Sequence, residues 1–119
     1  MENLTLNRVE VRGHVGQDPR IAKVGESTVA RFSVATNEIF KDKNGDLKEE
    51  VTWHNISVWA GKGIEDFSNL KKGDLVSVVG RIRNVRYTSM EGEDRHYSEI
   101  LANKFSRVTP EAGRLSTGN

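Results

Sequence analysis

The sequence predicts an all-β fold: a five-stranded barrel with one short helix between its third and fourth strands. Three observations predict it. Several segments alternate apolar and polar residues with a period of two, which sends successive side chains to opposite faces of a strand. Turn residues, Asp-Pro, Asn-Gly and isolated glycines, punctuate those segments. One stretch breaks the rhythm, because Ile64, Phe67 and Leu70 recur at helical spacing.

The elements follow in order. In "RVEVRGHV" (8–15), Val9, Val11, Gly13 and Val15 share one face while Arg8, Glu10, Arg12 and His14 take the other. "QDPR" (17–20) is an Asx-Pro turn, and a second turn around Gly25 leads into "TVARFSVAT" (28–36). There Ala30, Phe32 and Val34 form the apolar face and Arg31 and Ser33 point outward. "FKDKNGDLKEE" (40–50) is a charged hairpin centred on Asn44-Gly45, and it protrudes before the third strand, "VTWHNISVW". Residues 61–74 fit two turns of helix stopped by Gly73. "LVSVVGRIRNVRYT" (75–88) sets Val76, Val78 and Ile82 against Arg81, Arg83 and Tyr87, with Gly80 a candidate bulge that would shift this parity. A hairpin at "MEGEDR" (90–95) enters the last strand, "HYSEILANKFSRV" (96–108). Five strands with a helix between the third and fourth is the order of an OB-fold barrel.

At 119 residues the chain has room for one domain, which we assign to residues 1–108, with a short flexible tail over 109–119. With 35% hydrophobic and 29% charged residues it is polar yet globular. A net charge of +1 means that any nucleic-acid surface must come from local clustering of basic residues. The lack of cysteine excludes disulfides and thiolate metal sites and suits a reducing cytoplasm. No membrane-length apolar run and no leader pattern is present, so a soluble, cytoplasmic protein without membrane partners is expected.

The third strand poses the functional question. Trp53 and Trp59 lie an even number of residues apart, so they share a face with Asn55 and Ser57, opposite Ile56 and Val58. Burying an aromatic of that size contributes roughly 1.5–3 kcal/mol, so an outward tryptophan needs a cover. A loop, another subunit or a stacked ligand ring would serve. Phe40 at the base of the charged hairpin and Tyr87 beside Arg81 and Arg83 shift the balance toward a ligand. Flat rings interleaved with cations are what single-stranded nucleic acid needs, since every base has a π-face and every linkage a phosphate. The candidate phosphate contacts are Arg31, Lys41, Lys43, Lys48, Lys62, Lys72, Arg81, Arg83 and Arg86.

Residues 7 to about 108 also resemble the bacterial-type single-stranded DNA-binding protein (SSB) family. The resemblance is carried by "NRVEVRGHVGQDPR", "VARFSVATNE", "KEEVTWHNISVW", "LKKGDLVSVVGRI" and "YTSMEGEDRHY", in that order. It implies an OB fold, sequence-tolerant binding of single-stranded DNA in replication, recombination and repair, a homotetramer, a location on the cytoplasmic nucleoid, and no cofactor. It also implies base stacking on Phe40, Trp53, Trp59 and Tyr87. Family members commonly end in an acidic, hydrophobic tip that recruits repair enzymes. Here the end is "TPEAGRLSTGN", with Glu111 its one acid. Either the chain was truncated or this is a tailless accessory, mobile-element or competence-type member, and recruitment through the tip is not carried over.

Rival readings have less in the sequence to stand on. His14, His54 and His96 fall on separate strands without ligand-like spacing, so no metal site is expected. His54, on the core side by parity, reads as a packed, hydrogen-bonded residue. An OB-fold nuclease would need carboxylates converging on a pocket, and the acids of 48–50 and 91–94 belong to charged hairpins. No catalytic residue is assigned. A primosome-type OB protein bridging replication partners would lack the full aromatic set, and a pure assembly module would bury both tryptophans between subunits.

Overall fold

Six strands appear in the computed structural model, which describes residues 4–109. They are β1 (Val9–Val15), β2 (Arg20–Val24), β3 (Ser27–Lys41), β4 (Leu47–Trp59), β5 (Leu75–Thr88) and β6 (Asp94–Arg107). Hydrogen bonds run in the order β1-β5-β6-β4-β3-β2, and a further β1–β3 pairing closes five of the six into a ring. The closure is short, with His14 opposite Ala35 and Val15 opposite Val34. The result is a closed, five-stranded, OB-like barrel with β2 attached outside it. Most of the expected tail, 109–119, lies outside the described residues.

The predicted apolar faces meet inside. Val11, Val15, Ala30, Phe32, Val34, Ile56, Val58, Val76, Val78, Ile100 and Phe105 form one buried cluster with Phe67 and Leu70. Phe32 and Phe105 meet edge to face, with ring centroids 6.0 Å apart. Two glycines allow neighbouring backbones to approach closely. A Cβ on Gly13 would run into the Ala35 carbonyl and the Val34 side chain, and one on Gly80 into the Leu101 carbonyl. Both β3–β4 and β5–β6 continue past the barrel as two-stranded ribbons, ended by turns at 42–46 and 89–93. Each turn places glycine in the left-handed region, Gly45 at φ 85° and Gly92 at φ 84°. The Asp42 carboxylate accepts from the Asn44 and Asp46 amides in the first turn. In the second, the Ser89 hydroxyl accepts from the Glu93 amide.

Three features depart from the sequence reading. Residues 61–74 contain no helix. Instead, the Glu65 and Phe105 amides bond the Phe105 and Gly63 carbonyls, pulling the segment onto β6 and committing backbone groups a helix would need. The spacing of Ile64, Phe67 and Leu70 is fulfilled by a series of turns: Ile64 bridges to Phe105, and Phe67 and Leu70 are buried. Asp66 ties one of these turns, and hydrogen bonds from the Ser68 amide first, then the Ser68 hydroxyl, hold its carboxyl below the usual carboxylate range. Secondly, β2 occupies residues left between turns. It is an edge strand exposed along its length, so it carries no alternation to read.

Thirdly, the bulge lies across from Gly80. Val79 pairs with Lys104 and Gly80 with Ala102, so Asn103 is the extra residue and the parity of β5 is unbroken. On β6 the bulge reverses the faces. Ile100 and Phe105, an odd number of positions apart, both point inward because of it.

Candidate functional site

Register shows which outward residues share one surface. Across β3–β4, Arg31 stands opposite Ser57, Ser33 opposite Asn55, Ala35 opposite Trp53 and Val29 opposite Trp59. The parallel β4–β6 seam sets Ser57 beside Leu101. Across β6–β5, Leu101 faces Arg81, Glu99 faces Arg83, Tyr97 faces Val85 and Arg95 faces Tyr87. Directly paired residues point the same way, so Trp53, Trp59, Tyr87, Arg31, Arg81 and Arg83 lie on one continuous outer face.

The aromatics differ in their seating. Trp53 is 60% exposed. Its six-membered ring reaches over Gly16, whose missing Cβ would collide with it, and passes near the Ser33 hydroxyl. The Gly16 amide donates to the Ser33 carbonyl at 2.9 Å, so the surface under the ring is fixed by backbone. Trp59 is half-buried, across from Val29, which is fully buried yet lies outside the core cluster. Tyr87 meets Tyr97 edge to face, centroids 6.0 Å apart. Tyr97 was missed in the sequence reading, although it is two residues from Glu99 and four from Leu101 and so shares their face. Phe40 is exposed, but it pairs with Lys48 on the reverse face of the β3–β4 ribbon.

The cations divide likewise. Lys41 shares the outer parity of Arg31, whereas Lys48 and Arg86 have the reverse parity of their ribbons. Lys43 sits in the β3–β4 turn, and Lys62 and Lys72 in the 61–74 segment, all exposed. The Lys72 amide donates to Asp18, tying that segment to the β1–β2 connection. Among the described residues Arg31 and Arg81 form no ion pair, while Lys48 lies 3.9 Å from Asp42. Arg95, also missed, joins the outer face and pairs with Glu93.

Arg83 is engaged within the protein. Its Nε donates at 2.7 Å to Glu99, whose side chain is only 4% exposed. Its first duty is therefore to neutralise a buried carboxylate, so its loss would act on stability as well as on any phosphate contact. Arg83→Ala is expected to destabilise the fold by about 1–3 kcal/mol, the cost of leaving the Glu99 carboxylate without its partner, held below that of a fully buried pair because the arginine side chain is 39% exposed. Arg83→Lys, which keeps the charge, should recover most of that loss in a urea melt.

His54 is half-buried on the inner parity of β4, its Nε2 3.0 Å from the Thr36 hydroxyl, in accord with a packed, hydrogen-bonded histidine. Among the described residues no three His, Cys, Asp or Glu side chains gather as metal ligands would.

Comparison with known proteins identifies relatives of this arrangement. The model of the single-strand binding protein family matches residues 6–108. The chain is 38% identical over 107 residues to the single-stranded DNA-binding protein of Neisseria meningitidis serogroup A, an alignment covering 88% of this chain and 61% of that protein. It is 36% identical over 109 residues to the mitochondrial single-stranded DNA-binding protein of Mus musculus, covering 84% of this chain and 71% of that one. Among solved structures, a Plasmodium falciparum SSB in complex with ssDNA superposes with a TM-score of 0.76 at 32% identity, covering 91% of this chain and 97% of that chain. The chain thus spans less than two thirds of the length of the Neisseria relative.

Proposed function

The chain belongs to the single-strand binding protein family, and on that premise we propose that it binds single-stranded DNA without regard to sequence, coating and protecting strands exposed in replication, recombination and repair. The proposed binding domain is residues 1–108. One observation carries the reading: a single continuous face joins the exposed Trp53 ring, the Tyr87–Tyr97 pair and the guanidinium groups of Arg31 and Arg81, which form no ion pair among the described residues. Bases stack on the rings and phosphates pass the arginines. Phe40, Lys48 and Arg86, on the reverse faces of the ribbons, engage a strand that wraps over a ribbon edge. Lys41, Lys43, Lys62 and Lys72 supply diffuse positive charge along the way.

The chemistry is mass action. A protein that binds single strands and not duplex shifts hairpins toward the open form by its differential affinity, with no bond made or broken. The test is a salt-resolved titration of tryptophan emission with oligo-dT and with duplex DNA. Quenching by oligo-dT, weakening as salt rises, with little response to duplex, is the expected result. Emission indifferent to oligo-dT would sink the reading.

We propose further that the working unit is a homotetramer located in the cytoplasm. β1 pairs with β5 along Val9 to His14 but reaches β3 only at His14 and Val15, so most of its second edge is without a strand partner among the described residues. An open edge of this kind pairs readily with the same edge of a second copy. Light scattering should give the mass of four 13.3 kDa chains, and a monomer would remove the proposal.

A further inference from the structure

The outer face holds a cavity of about 300 Å³ whose walls include the charged Asp18, Arg20, Arg31 and Glu99 and the aromatic Phe32 and Tyr97. Ser33, beside the Trp53 ring, and Tyr97, against Tyr87, both line it. Two features of its walls bear on what it could hold. Arg20 and Arg31 stand directly opposite each other in the β2–β3 register, and both line the cavity. Like charges placed across a strand pair destabilise it; Asp18 on the same wall accepts from the Lys72 amide and forms no ion pair with either arginine among the described residues, so an anion between the two would relieve the repulsion. The second feature is Glu99, a nearly buried acid on a face that would have to receive a polyanion. An acid there repels phosphate, so its presence makes sense where it meets a part of the ligand other than phosphate.

Resting on the single-stranded DNA reading, we propose that this cavity takes one nucleotide of the bound strand. Its phosphate is held between Arg20 and Arg31, and an exocyclic amino group on its base donates to the Glu99 carboxylate. An ionised carboxylate only accepts hydrogen bonds. The N4 amino group of cytosine therefore fits, while the O4 carbonyl of uracil or thymine at the same point faces it lone pair to lone pair. Arg83 Nε occupies one oxygen of Glu99 at 2.7 Å and fixes the orientation of the group. The protein thus tolerates every sequence but weighs the base at one position per protomer. Arg20 becomes a phosphate contact that the sequence reading passed over.

The test compares oligo-dC with oligo-dU of equal length on the native chain, a pair differing at the base edge by an amino group against a carbonyl. Binding of oligo-dC is expected to be tighter by about five-fold or more, the lower range of discrimination by one base-edge contact. Glu99→Gln keeps an oxygen for Arg83 but presents an amide donor, which suits the uracil O4 and opposes the cytosine N4 amino group, and it should bring the ratio to one or below. Equal native affinities, or a ratio that survives Glu99→Gln in a protein that melts normally, would overturn the base contact. Should Glu99→Gln fail to fold, the native comparison decides alone. Arg20→Ala should flatten the log–log salt dependence by about 0.7, one phosphate's share on a single strand, and an unaltered slope would overturn the phosphate contact. Failure to bind any single strand would instead defeat the parent reading.

Discussion

Replacing Trp53 by alanine is expected to weaken binding of every single-stranded sequence by about 1–3 kcal/mol, the contribution of one stacked base. The loss should fall on affinity with little cost in stability, because the ring is 60% exposed and lies outside the core cluster. The effect is expected to be large because the ring needs no ordering on binding. Gly16 leaves it room, and the Gly16 amide bond to Ser33 holds the surface beneath. Immobilising a free, rotamer-rich side chain would otherwise cost about 0.5–1.5 kcal/mol. Anisotropy of a labelled oligo-dT, alongside a thermal melt, measures both quantities. An unchanged affinity would remove Trp53 from the site, and a collapsed melt would mean that the ring is structural. Trp53→Phe should retain part of the affinity, since a smaller flat face remains.

The second large effect is on stability. Gly13→Val is expected to destabilise the barrel at or beyond the upper end of the roughly 1–3 kcal/mol typical of overpacked cores. The added atoms would meet the Ala35 carbonyl, which is backbone and cannot rotate away as a side chain can. They would do so beside the two residue pairs that join β1 to β3 and close the ring. Equilibrium denaturation with urea gives the loss directly, as a lowered midpoint. A midpoint matching the native chain would show that β1 can shift without penalty, and that the short closure is not under steric constraint. The two substitutions together separate binding from folding, since Trp53→Ala acts on the first and Gly13→Val on the second.

Alternation made the barrel faces legible. Along β3, β4 and β5 the period-two pattern separates inward from outward parity and places both tryptophans outward, but Val29 and Ser57, of outward parity, are fully buried, and Ile82, on the apolar face, is 49% exposed. What it could not supply is which outward residues of different strands become neighbours. That depends on register, and register depends on features such as the Asn103 bulge, whose one trace in the sequence is the odd spacing of Ile100 and Phe105. The Arg83–Glu99 pair and the opposed arginines Arg20 and Arg31 are cross-strand facts of this sort. Phe40 illustrates a different limit. In a ribbon beyond the barrel neither face is buried, so its side could not be read from the residues around it. The spacing of Ile64, Phe67 and Leu70 misled for a simpler reason. Three residues at intervals of three fit a helix, and they fit equally a series of turns that presses each side chain inward.

The pairing of β1 with β5 also has a consequence for how the chain is made. Val9 leaves the ribosome well before its partner, Gly80. At translation speeds of about 5–20 residues per second the first strand waits roughly 4–14 s for that partner. Meanwhile its valines and the edge that pairs with β5 stay open to chaperones and to neighbouring nascent chains. A fragment released before Leu75 would carry every residue of β1 to β4 and still leave that first strand without its main partner.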